Sequence, residues 1–134
     1  IVLLVAATFL AVGQAETIVV GGSEQWRFGY NYTDWALQHG PFYKDDTLVF
    51  KYDRPSHGKL PHTVYLLPNL WSFIMCDFSK AKLLANATQG SGEGFEFVLS
   101  EWRPQYFACG EDNGNNCKDG MMKFFAVPLP RRQG

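Results

Sequence analysis

The chain has 134 residues, a formal net charge of −1 and 46% hydrophobic residues, the size of one ordinary domain. The near-neutral balance excludes the basic footprint that nucleic acid requires and the polybasic face that binds anionic membranes. Aromatic residues reach 16% against 19% charged, with 13 Gly and 7 Pro, a composition of aromatic strands cut by tight turns rather than of a disordered tail.

Residues Ile1 to Ala15 carry no charge, are apolar through most of their length, and close on Val12-Gly13-Gln14-Ala15. Small residues at Gly13 and Ala15 fit the cleavage rule of a secretory leader. Residues 1–15 are therefore expected to be a signal peptide, with its true start missing. The run is short for a transmembrane helix; a buried N-terminal strand is the plainer alternative. Export changes the reading of Cys76, Cys109 and Cys117, since disulfides persist outside the cytosol. Three cysteines allow one pair and one leftover thiol, or three free thiols. Two sequons, Asn31-Tyr32-Thr33 and Asn86-Ala87-Thr88, make Asn31 and Asn86 candidate glycosylation sites.

Thr17 to Val20 is a β-branched run that ends at Gly21-Gly22, a strand and then a turn. Thr47 to Tyr52 is strongly β-forming and places Leu48, Phe50 and Tyr52 on one face. Asp53 to Pro61 reads as a loop, and His62 to Leu67 returns as a strand. Leu70, Phe73 and Ile74 recur at helical spacing within 70–78, which predicts a short helix. Asp77 to Thr88 is expected to be irregular or weakly helical. Phe95, Phe97 and Leu99 share a face of a further strand; Gln105 to Cys109 and Met121 to Val127 supply two more. Several short strands at regular spacing imply a β-sandwich or barrel. Trp26, Trp35, Trp71 and Trp102 are assigned to core or rim packing.

The chemistry is concentrated in Tyr106 to Met122. A strand delivers Cys109 to its end, a polar Gly/Asn-rich loop follows, and a Met opens the next strand, while His62 opens a strand of its own. Type 1 copper takes two imidazoles, one thiolate and a long axial Met. A loop between adjacent strands can carry such ligands at one pole of a sandwich.

At this point the chain resembles the phytocyanins, the plant cell-surface branch of the cupredoxins. Val20-Gly21-Gly22-Ser23-Glu24-Gln25-Trp26 is similar to the family's opening. Trp35, Phe42 and Asp46 to Tyr52 follow its first-sheet pattern, and Pro61-His62-Thr63-Val64 matches the segment of its first copper His. Tyr106-Phe107-Ala108-Cys109 matches the copper-Cys strand, and Cys117-Lys118-Asp119-Gly120-Met121 matches the disulfide Cys and axial-ligand stretch. The resemblance implies an all-β, cupredoxin-like Greek-key β-sandwich with one or two short helices, spanning residues 16–128, with 129–134 as a C-terminal tail. It also implies a Cys76–Cys117 disulfide that leaves Cys109 free. Pairing of Cys109 with Cys117 stays open.

The departures fall on the ligand loop. The family's second copper His directly precedes the disulfide Cys, and here that position is Asn116. The loop from Cys109 to Cys117 is about two residues longer than usual for the family. The metal set read from the resemblance is therefore incomplete: His62, Cys109 and Met121, with His57 as a substitute imidazole. An amide is no replacement for imidazole at a copper that cycles between two oxidation states. The leading expectation is no cofactor and no catalysis, in a non-enzymatic cell-surface or cell-wall module like the early-nodulin-like members, meeting an extracellular protein or wall component. The alternative is a blue-copper carrier of single electrons, which alone would need a redox partner. No phosphate loop or nucleophile elbow is present. The expected location is extracellular, anchored at the plasma membrane if a lipid-anchor signal lies beyond Gly134.

Overall fold

The computed structural model describes residues 14–131. Most of the expected leader, residues 1–13, lies outside the described residues, as do the last three residues of the tail. Among the described residues seven strands form two sheets: β1 (Thr17–Val19), β2 (Thr47–Phe50), β3 (Val64–Leu67), β4 (Lys82–Ala85), β5 (Phe95–Val98), β6 (Gln105–Ala108) and β7 (Lys123–Ala126). The first sheet has the order β1-β2-β5, with β1 parallel to β2; the second has the order β4-β3-β6-β7 and is antiparallel throughout.

Period-2 alternation determines which side chains fill the space between the sheets. Leu48 and Phe50 of β2, Phe95 and Phe97 of β5, Val64 of β3, Phe107 of β6, and Phe124 and Ala126 of β7 meet there, with Trp26 at the centre. The Trp26 ring packs edge-on against Phe50 and Phe124 at centroid distances of 5.1 and 6.2 Å. The opposite faces of β3, β6 and β7 present Leu67, Tyr106, Ala108 and Phe125 to a second, smaller core. That core is covered by helix α2 (Leu70–Met75), which buries Phe73 and ends at Cys76.

Among the described residues there are three α-helices, where one or two were expected. Two of them were not foreseen: α1 (Tyr32–His39), which packs on β7, and the four-residue α3 (Asn115–Lys118), in a stretch read as loop. Asn31, one of the two sequon residues, is the N-cap of α1: its side chain accepts a 3.0 Å hydrogen bond from Asp34 N, as N-cap Asn does. The segment 77–88, expected to be irregular or helical, supplies the edge strand β4 instead. Two of the four tryptophans also depart from expectation. Trp71 and Trp102 are 64% and 61% exposed, Trp71 on the outer face of α2 and Trp102 with Lys44 Nζ over its ring at 5.3 Å. Leu129, assigned to the tail, bridges Tyr43 in parallel pairing. Among the described residues no helix is long and apolar enough to cross a membrane.

Candidate metal centre

The end of β6 and the segment before β3 meet at one pole of the sandwich. The pairing Tyr65–Ala108 extends toward the pole, and Gly110 N donates to Thr63 Oγ1 at 3.2 Å. Cys109 follows Phe107 by two residues, so its side chain shares the inward face and is wholly buried. Cys109 N also donates to Met122 O at 3.0 Å, prolonging the β6–β7 ladder. Gly110 is required immediately after it, because a Cβ there would stand 2.6 Å from the Tyr65 ring.

A turn through Glu111 to Gly114 leads into the four-residue helix α3 (Asn115–Lys118). Asp112, Asn113 and Gly114 all have positive φ (56°, 53° and 82°), a conformation that Asn, Asp and Gly tolerate best. The helix is fastened from behind by the Cys76–Cys117 disulfide, with Cα atoms 6.0 Å apart. The alternative Cys109–Cys117 pairing is thereby excluded, and Cys109 is a free, buried thiol.

Asn116, buried at the start of α3, points its amide into the pole. Its Nδ2 lies 3.2 Å from His62 Nδ1 and donates to Cys109 Sγ at 3.5 Å. One NH2 group thus offers its two N–H bonds to the imidazole and the sulfur. Thr63 adds the remaining contacts to sulfur: its backbone N donates at 3.4 Å, and its Oγ1 is 3.8 Å away. Thr63 is itself fixed by Trp26, whose Nε1 donates to Thr63 O at 3.0 Å, so the centre of the core sets the floor of the pole. Neither Thr63 nor Trp26 was singled out from the sequence as a site residue. The only signal was Thr63's place beside His62 in the Pro61–Val64 motif.

His62 is half-buried, and burial lowers its pKa below the ordinary imidazole value. The amide donor at Nδ1 has the same consequence, since protonation would set N–H against N–H. Neutral His62 contributes stability that is fully present above the unfolded-state pKa of about 6.5. That stability is lost as pH falls through the depressed folded value. Unfolding free energy should therefore drop from pH 7 toward pH 5, and His62→Gln should flatten that part of the profile in denaturant titrations. Tyr52, whose ring stands edge-on to His62 at 6.3 Å, has its hydroxyl pKa raised, chiefly by burial. That hydroxyl donates to Asn86 O at 2.6 Å.

The other sequence-predicted residues are not drawn in. His57 is exposed, in the turn bridged by Ser56 and Lys59. Met121 is 38% exposed at φ 57°, whereas Met122 is buried in the main core. Among the described residues no three His, Cys, Asp or Glu side chains gather as a metal-holding group.

A family model for the plastocyanin-like domain matches residues 26–121. The chain belongs to the plastocyanin-like domain family. Early nodulin-like protein 20 of Arabidopsis thaliana is 33% identical over 113 residues, covering 84% of this chain and 60% of that protein. Among solved structures, cucumber stellacyanin with Cu2+ at pH 7.0 superposes with a TM-score of 0.69 at 21% identity, over 89% of this chain and 99% of the other. Cucumber basic protein, a blue copper protein, gives 0.63 at 27% identity over 84% and 99%, and spinach plantacyanin gives 0.54 at 21% over 78% and 94%. The phytocyanin resemblance read from the sequence is thus the family of the chain, and its fold is that of the cupredoxins. Within this plastocyanin-like domain the donor set does not fit type 1 copper. One imidazole and one thiol meet at the Asn116 amide N–H, which has no lone pair to give a metal.

Proposed function

We propose that this phytocyanin domain is a secreted, non-enzymatic module that works by contact at the cell surface or in the cell wall, without a type 1 copper. The observation that carries the reading is the Asn116 amide, hydrogen-bonded at once to His62 and Cys109. A pole closed by its own hydrogen bonds is satisfied without a metal. Beside it opens a cleft of about 330 Å³, walled by Glu24, Arg27, Lys51, Asp53 and Lys59. Its mixed charges suit a polar extracellular protein or wall component. Glycans at Asn31 and Asn86 belong to the same reading. Both residues are exposed, and a glycan on Asn31 Nδ2 leaves the Oδ1 that caps α1 in place. A lipid anchor encoded beyond residue 134 would hold the module at the plasma membrane.

The second reading, a blue-copper electron carrier, is favoured by the cucumber proteins' copper and by the presence of both His62 and Cys109. It lacks the second imidazole. Elemental analysis of the protein purified from the cells that secrete it separates the two. We expect copper far below one atom per chain; stoichiometric copper lost in Cys109→Ser would replace the first reading with the second.

A further inference from the structure

We propose that Asp46 is the receptor for a new α-ammonium group on Glu16, produced when the leader is removed between Ala15 and Glu16; the inference rests on the leader reading given above. Asp46 stands immediately before β2 and is 1% exposed. A buried carboxylate is costly unless charge and hydrogen bonds compensate. Its Oδ2 accepts from Tyr43 N at 2.9 Å. Its Oδ1 accepts from Glu16 N at 2.9 Å and also pairs with the Arg131 guanidinium. A single oxygen therefore gathers donors from both ends of the domain.

The position of Glu16 N is set by the fold. Thr47 N donates to Glu16 O at 2.8 Å, and Thr17 pairs with Thr47 at the start of the parallel β1–β2 ladder. The sequence places Gly13 and Ala15 at the two small positions that a leader peptidase reads. Water, added by that peptidase, breaks the Ala15–Glu16 peptide bond. Ala15 leaves with the new carboxylate, and Glu16 keeps its nitrogen as an amine, protonated below its ordinary pKa of about 8. A single neutral N–H thereby becomes a cation with three donors, on an atom already at hydrogen-bond distance from a buried anion. Charge-assisted hydrogen bonds are roughly twice as strong as neutral ones. Processing thus tightens the domain that it releases, fastening the first strand and the C-terminal segment to one carboxylate.

The test begins with the intact mass of the protein secreted from its own leader; Glu16 is the expected terminus. Two disulfide-bonded forms are then melted, one starting at Glu16 and one at Gln14. The Glu16 form should melt about 4 °C higher. The gap should vanish in Asp46→Asn and widen in Arg131→Gln, where the ammonium is the cation left on Asp46. Should Asp46→Asn fail to fold, the Arg131→Gln pair decides alone. Equal melting of the two forms, in the natural sequence and in Arg131→Gln, overturns the pairing and leaves the leader reading standing. A Glu16 terminus closed as pyroglutamate has no amine and likewise overturns the pairing. A terminus at any other residue overturns the leader reading and the pairing with it.

Discussion

Asn116→His, combined with deletion of Asp112 and Asn113, should give a protein that turns intensely coloured with Cu(II) and retains stoichiometric metal after dialysis. The substitution removes an amide that donates to both His62 and Cys109 and puts a second imidazole beside the Cys109 sulfur. The deletion removes two exposed residues with positive φ and shortens the loop between Cys109 and Cys117. Partners that merely support a metal ligand control affinity by roughly 10–100-fold, so restoring a ligand itself should exceed 100-fold. Visible absorption and equilibrium dialysis read the gain. If the variant folds and still binds no copper, the pole has lost more than one donor, and the 38% exposed Met121 is the next to examine.

Cys76→Ala with Cys117→Ala should cost about 4 kcal/mol, from the chain entropy of the loop that the bridge closes, whose ends are separated by 41 residues. For a domain of this size that is a fall in melting temperature of about 15 °C. The site should loosen as well. Helix α3 has four residues and a glycine N-cap without a side-chain bond, too short to persist unaided, and Cys117 is its tether to α2. With the tether cut, Asn116 should leave Cys109. The thiol, wholly buried in the natural protein, should then react with a thiol reagent under folding conditions. An unreactive Cys109 in the folded double variant would show that the pole holds itself.

Most strands were legible because their apolar residues alternate: Leu48, Phe50 and Tyr52 do face inward, as do Phe95, Phe97 and Leu99. Edge strand β4 was not. Lys82-Leu83-Leu84-Ala85 has no β-branched residue and no alternation, and pairing with β3 decides its conformation. Helix α1 was hidden by a competing motif. Asn31-Tyr32-Thr33 was read as a sequon, while the same Asn31 caps a helix whose Tyr32 and Ala36 are buried at i, i+4. The candidate site residues could be named from their motifs. Their geometry could not, because His62 and Asn116 are 54 residues apart and only the β3–β6 pairing and the disulfide bring them together. That the Asn116 amide reaches both His62 and Cys109 is a property of the fold.

The most direct measurement is a Cu(II) titration of the natural protein, followed in the visible range with Cys109→Ser alongside. No intense thiolate-to-copper band should appear, and the two titrations should superimpose. A strong blue band in the natural protein, absent from Cys109→Ser, would contradict the account.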